Sequence, residues 1–163
     1  MVVTFSVPFV VPKARPRFSG HAFTPKRTKD AEKKVRDAYK GACVRKYGHV
    51  VTAPEGAPVT VAVAARKGAP KSRPKYVPKP VWDVGRWAFT STPDLDNVIK
   101  LVCDALNPIT HKDGATRQVV VDEYVAWHDD SQITEIHGFK LDKIRGTSDS
   151  TFVIVMWEED NDE

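Results

Sequence analysis

Branched and aromatic side chains at Val2, Val3, Phe5, Val7 and Phe9 recur near every second position and predict a first strand, with Pro8 as a point of bending. Ala31, Val35, Ala38 and Ala42 then fall on one side of a helical wheel. They predict a helix from an N-cap at Thr28 to about Tyr47, ended by Gly48. Val59, Val61, Val63 and Ala65 return to period two and predict a second strand. Leu95, Val98, Ile99, Val102 and Leu106 give a second helix over about 95–106. After a polar loop at 108–117, an extended run covers Val119 to Trp127 and a further strand Ile133 to Ile144. The last strand spans Thr151 to Trp157, with alternation at Phe152, Ile154 and Met156. Strand, helix, strand, loop, helix and three strands predict an α+β fold, with helices packed on one mixed or antiparallel sheet.

The 163 residues suit one domain, 1–163, with a hydrophobic core that needs no staples. A hydrophobic share of 41% and a charged share of 28% fit a soluble globular chain. No apolar run approaches the roughly 20 residues of a membrane span. Met1 to Val11 lacks the basic start and the small-residue cleavage pattern of a signal peptide, so it is taken as a strand. The two cysteines, Cys43 and Cys103, form no CxxC pair and sit in helical patterns, the expectation for buried reduced thiols in the cytoplasm.

Charge changes the picture more than composition does. Residues 1–80 hold 18 Lys and Arg against 4 Asp and Glu, whereas residues 81–163 hold 7 against 17. Chance segregation of solvated charge is the plain explanation. A division of labour is the sharper one: a basic half attracts a polyanion and an acidic half supplies carboxylates for a cation. Within the basic half, residues 66–80 carry Arg66, Lys67, Lys71, Arg73, Lys75 and Lys79 among prolines, which predicts an extended mobile loop. It serves either as a solubilising surface or as a phosphate-contacting arm through Lys71, Arg73 and Lys75, with Tyr76 as a weak stacking candidate. The acidic tail, 158–163, is expected to fray.

The second helix carries the chemistry. Asp96, Lys100 and Asp104 follow at four-residue intervals on the face opposite its apolar stripe, and Asp94 precedes it after Pro93. In an extended approach Asp94 and Asp96 point the same way, and two close carboxylates are stabilised by a divalent cation. The ordinary alternative is a capping Asp94, an Asp96 that complements the helix dipole, and a surface Asp96–Lys100 pair. A second acidic element, Trp127-His128-Asp129-Asp130-Ser131-Gln132-Ile133, sits at a predicted strand entrance, where Asp-Asp-Ser is also an everyday turn.

Together these segments resemble the RusA family of Holliday junction resolvases. The likeness rests on Pro93-Asp94-Leu95-Asp96-Asn97, on Lys100, and on Asp104-Ala105-Leu106. It continues through Trp127, Asp129, Asp130, Ser131, Gln132, Ile133 and the downstream Lys140. It is clear over about residues 92–140, with a weaker echo in Lys13-Ala14-Arg15-Pro16-Arg17-Phe18. The resemblance implies a homodimeric nuclease, dependent on Mg²⁺ with Mn²⁺ as a substitute, that nicks opposed strands of a four-way DNA junction in recombination and repair. It implies Asp94, Asp96 and Asp130 as the metal-binding carboxylates, Asp129 as a neighbouring candidate ligand, and Lys100 as the catalytic lysine. Lys13, Arg15 and Arg17, with the arm at 66–79, would grip phosphates. One departure stands out: Pro108 to Tyr124 is a long segment where the family pattern has a short turn. Two other readings remain open, a nuclease for flaps or other branched DNA and a non-catalytic DNA-binding protein whose acidic cluster only stabilises its fold.

Overall fold

Alternation builds the centre of the molecule. The computed structural model describes residues 1–14, 17–18, 22–88, 90 and 92–159, with 17–18 and 22–23 described by their backbone alone. In chain order the strands and helices are β1 (Val2–Val7), β2 (Arg17–Phe18), β3 (Ala22–Phe23), α1 (Lys26–Tyr47), β4 (Val59–Arg66), α2 (Lys79–Val84), β5 (Arg86–Trp87) and α3 (Leu95–Leu106). They continue with β6 (Ile109–Lys112), β7 (Val119–Glu123), a 3-10 turn (Asp130–Gln132), β8 (Ile133–Lys140), β9 (Lys143–Ile144) and β10 (Ser150–Trp157). The main sheet has the order β1-β10-β4-β8, antiparallel except for the parallel β4–β8 pair. The fold is α+β with a mixed sheet, as the pattern predicts.

One face of the sheet is apolar and covered. Val3, Phe5 and Val7 of β1, Val59, Val61, Val63 and Ala65 of β4, and Thr151, Val153, Val155 and Trp157 of β10 all point into the core. The helices α1 and α3 pack there, on the sheet and on each other. Tyr39 of α1 is fully buried, meets Phe5 edge-on at 5.9 Å, and donates its hydroxyl to the Val51 carbonyl at 2.7 Å. Burying each such side chain contributes about 1.5–3 kcal/mol. Cys43 is buried and Cys103 half-buried, and both are free thiols. Among the described residues no helix is long and apolar enough to cross a membrane.

Several local expectations change. In β10 it is the set opposite to Phe152, Ile154 and Met156 that turns inward, since these three alternate with the buried positions and Phe152 is exposed. Both sets are apolar, so the pattern alone does not choose the face. The first helix begins at Lys26 after Pro25, and Thr28 lies buried within it rather than capping it. Gly48 ends it in the left-handed region at φ 81° with its N–H on Val44, as expected.

Of the basic stretch 66–80, Arg66 ends β4 and Lys79 opens α2, and residues 67–78 between them form a turn-rich, anchored loop and not an extended one. Lys67 and the Gly68 N–H both hold Asp149, Arg73 donates to the Val77 carbonyl at 2.8 Å, and Val77 is buried. It runs into α2, for which the sequence carries no strong apolar period. The predicted polar loop 108–117 contains β6, which pairs with β7 as a hairpin, and the extended run after it stops being strand at Glu123. Of the acidic tail, Glu158 and Glu159 are exposed and 160–163 lie outside the described residues.

Candidate active site

Helix α3 is held by its apolar side. Val98, Leu101, Val102, Ala105 and Leu106 are buried, and Leu95 and Ile99 lie over the edge strand β8 at Gly138. A methyl group on Gly138 would come within 2.7 Å of Ile99 Cδ1 and 3.0 Å of Leu95 Cδ2, so the glycine is what lets the start of α3 sit this close to the sheet. Packing that side leaves the opposite face in solvent. Asp96 and Lys100 are exposed on it.

Asp94 occupies the N-cap position with extended backbone angles, yet its side chain makes no capping hydrogen bond. Asp96 is already in the first helical turn, so the two aspartates do not share an extended segment as the sequence suggests. Both are exposed, and neither forms an ion pair or side-chain hydrogen bond with a described residue. Asp96 and Lys100 do not pair with each other either. Two of the ordinary explanations, a side-chain cap and a surface i,i+4 ion pair, are therefore absent, while Asp96 in the first turn still complements the helix dipole.

The second acidic element meets the other end of α3. The segment Val125-Ala126-Trp127 is fully buried, tied to the helix by Ala126 N–H on the Leu106 carbonyl and by Trp127 Nε1 donating to Asn107 Oδ1 at 2.6 Å. Gln132 then fixes the turn that follows. Its Oε1 accepts from the backbone N–H of His128 and of Asp129, while its Nε2 donates to the carbonyls of Pro54 and Ala57. Asp129 caps the 3-10 turn by accepting from Ser131 N–H at 2.8 Å, and Ser131 holds its carboxyl below the ordinary value. That side chain has a structural task. Asp130, next to it, is exposed and has no side-chain hydrogen bond or ion pair with a described residue. It lies near enough to α3 that burial, helped by the charges of Asp104 and Asp130, pushes the Cys103 thiol up to about 11.

Of the basic candidates, Lys13 is occupied. It bridges Glu32 of α1 at 2.5 Å and Asp104 of α3 at 2.8 Å, with its backbone N–H on the Asn97 carbonyl. Burial opposes its charge, but the two carboxylates outweigh burial and raise its pKa. Its ammonium thus joins two helices where the sequence suggests a phosphate grip. Lys13→Met is expected to lower stability by about 1–3 kcal/mol, because two half-buried carboxylates lose a charged partner. Thermal melting checks this, and an unchanged midpoint would remove the bridge from the account of the fold. Arg15 lies outside the described residues, and only the backbone of Arg17 is described, in β2. Lys71 and Lys75 are exposed and unpartnered among the described residues, whereas Arg73 holds its own loop.

Hard, exposed and uncommitted carboxylate oxygens suit Mg²⁺, which takes few protein ligands and keeps several waters. The fit is one of donor chemistry: among the described residues no three His, Cys, Asp or Glu side chains are gathered closely enough to hold a metal by themselves. The turn at 129–132 and its anchor Gln132 lie at a strand entrance as expected, whereas the supporting role of Asn107 carries no signal in the sequence. A family model described as endodeoxyribonuclease RusA matches residues 8–155 of the chain, well beyond the motif segment itself. Among curated proteins, none matches.

Proposed function

The chain belongs to the RusA family of endodeoxyribonucleases, and from that premise we propose that it is a Mg²⁺-dependent homodimer that resolves four-way DNA junctions by paired symmetric nicks in recombination and repair. The observation that carries the site assignment is the solvent face of α3, where Asp94, Asp96 and Lys100 stand exposed without a partner among the described residues. Charged side chains that neither cap nor pair contribute little to the fold, so a ligand is the economical explanation for them.

On the family motif, Asp94, Asp96 and Asp130 would hold the cation, with Asp129 next to Asp130; the first two stand at the start of α3 and Asp130 toward its other end. Bound there, Mg²⁺ (or Mn²⁺) supplies charge to polarise a phosphate and lowers the pKa of a water. The chain's own residues do the rest. Lys100, one turn from Asp96, offers its ammonium to a non-bridging phosphate oxygen and stabilises charge as the water oxygen bonds to phosphorus and the P–O bond to the leaving sugar oxygen breaks. Lys71 and Lys75 attract the backbone without reading sequence. Two copies of the chain match the two-fold symmetry of a four-way junction, one nick each.

The test is nicking of a synthetic four-way junction with and without Mg²⁺, against flap and duplex controls, alongside sedimentation of free and bound protein. Paired nicks in the junction alone are expected. Equal cutting of flaps, or a monomer on the junction, would overturn the reading. A second expectation concerns the loop: neutralising Lys71 and Lys75 together should lower the slope of log affinity against log salt by about one unit per lost phosphate contact. An unchanged slope would place the loop off the DNA. Arg73 is left intact in that variant, because it braces the loop.

A further inference from the structure

Between the end of α3, the β6–β7 hairpin and the 3-10 turn lies a cleft of about 280 Å³, and Asn107, Thr110, Val121, His128, Asp129 and Asp130 line it. Its chemistry is distinctive. Trp127 Nε1 can only donate, so the Asn107 atom that faces it must be Oδ1, and the amide NH₂ is left directed elsewhere with no partner among the described residues. His128 stacks on Tyr124 with ring centroids 4.0 Å apart and planes at 29°. Thr110 and Val121 are cross-strand partners in the hairpin and so present a hydroxyl and an isopropyl group from the same face. Among the described residues no lysine or arginine lines the cleft and two carboxylates do, so the cleft itself offers a phosphate no cationic partner. What it suits is an uncharged, flat, hydrogen-bonding group.

Resting on the nuclease reading above, we propose that this cleft is a nucleobase subsite. One nucleotide unstacked at the branch places its base against the His128 ring and Val121, with its edge to the Asn107 amide. The subsite adjoins Asp130, so the base it holds lies beside the nicked phosphate and gives the enzyme a base preference at the cut. The hairpin 109–123 supplies one wall, which assigns a task to a segment that otherwise exposes Val119, Val120 and Val121 to solvent. Tyr124 stacks on one face of the His128 ring and steadies it.

The experiment uses junctions that differ only in the base at each position flanking the crossover, and a parallel set with 2-aminopurine at those positions. Nicking in Mg²⁺ reports preference, and fluorescence of the bound junction without Mg²⁺ reports stacking. At one position the wild type should prefer one base, and 2-aminopurine there should change its emission on binding. His128→Ala should erase the emission change and slow cutting of the preferred junction roughly 5- to 150-fold, the range for loss of a base–aromatic stack. His128→Phe, which keeps the ring, should restore most of both. Melting curves confirm that each variant is folded. Junctions nicked by the wild type with no base preference and no emission change would overturn the subsite, as would a folded His128→Ala protein that behaves as wild type. An emission change that His128→Ala abolishes, in a protein that nicks no junction, would uphold the subsite and sink the nuclease reading instead.

Discussion

Asp96→Asn is expected to leave a folded protein that binds junctions and no longer cuts them. The side chain is exposed on α3 and makes no hydrogen bond or ion pair with a described residue, so the near-isosteric change opens no cavity and strands no partner. Removing its charge should weaken Mn²⁺ or Mg²⁺ binding, and cleavage should fall by more than the roughly 10- to 100-fold typical of changes behind a ligand. Affinity for DNA should hold or rise slightly, since one negative charge facing the phosphates disappears. A residue that served only the helix dipole would behave differently: a few tenths to about 1 kcal/mol of stability lost, and nicking nearly intact. Single-turnover cleavage, metal titration, melting and gel-shift affinity on the same preparation separate the two. A folded Asp96→Asn protein that nicks normally would falsify the assignment of this face.

That separation matters because the sequence displays the parts of the site more clearly than their arrangement. The helix at 95–106 is legible to the residue, since five apolar positions at helical spacing face three polar ones at four-residue intervals. The strand at 59–66 is legible for the same kind of reason, as four inward positions alternate without a break. The face of the last strand is not, because Thr151, Val153, Val155 and Trp157 alternate with Phe152, Ile154 and Met156, and tertiary packing alone selects between them. Convergence of Asp94 and Asp96 needs an extended segment through Leu95, and the helix begins one residue too early for that.

Charge is the other place where residue type and role part company. Lys13 and Arg73 belong to the most basic stretches of the chain, yet the first joins Glu32 to Asp104 and the second braces a carbonyl in its own loop. A lysine's partners depend on which helix faces come together, a long-range fact with no local signature. Lys71 and Lys75, by contrast, keep the solvent exposure that composition suggests. The hairpin β6–β7 leaves no clear pattern in the sequence because its first strand, Ile109–Lys112, is short and mostly polar, and its second is exposed on both faces. A two-stranded ribbon of this kind is marginal on its own, and here the end of α3 and the turn at 128–130 adjoin its base.

The strongest link between fold and site is Trp127, and its removal should show it. The side chain is fully buried, sits among the last turn of α3 and the segment leading to Asp130, and spends its N–H on Asn107. Trp127→Ala leaves a cavity where a large ring was and frees Asn107, so it is expected to cost about 3–5 kcal/mol. In a chain of this length that corresponds to a fall in melting temperature on the order of 10 °C. Cleavage should fall even in the fraction that remains folded, because Asp129 and Asp130 stand two and three residues after Trp127 and lose the buried anchor of their turn. Trp127→Phe separates the two contributions. It keeps most of the buried area but loses the N–H and part of the indole ring, so stability should drop by about 1–3 kcal/mol. Cutting of the best junction should persist, while discrimination among bases at the cut weakens because the Asn107 amide is free to turn. Melting and base-variant junctions measure both, and a Trp127→Ala protein within about 1 kcal/mol of wild type would mean that this ring is not what joins the helix to the acidic turn.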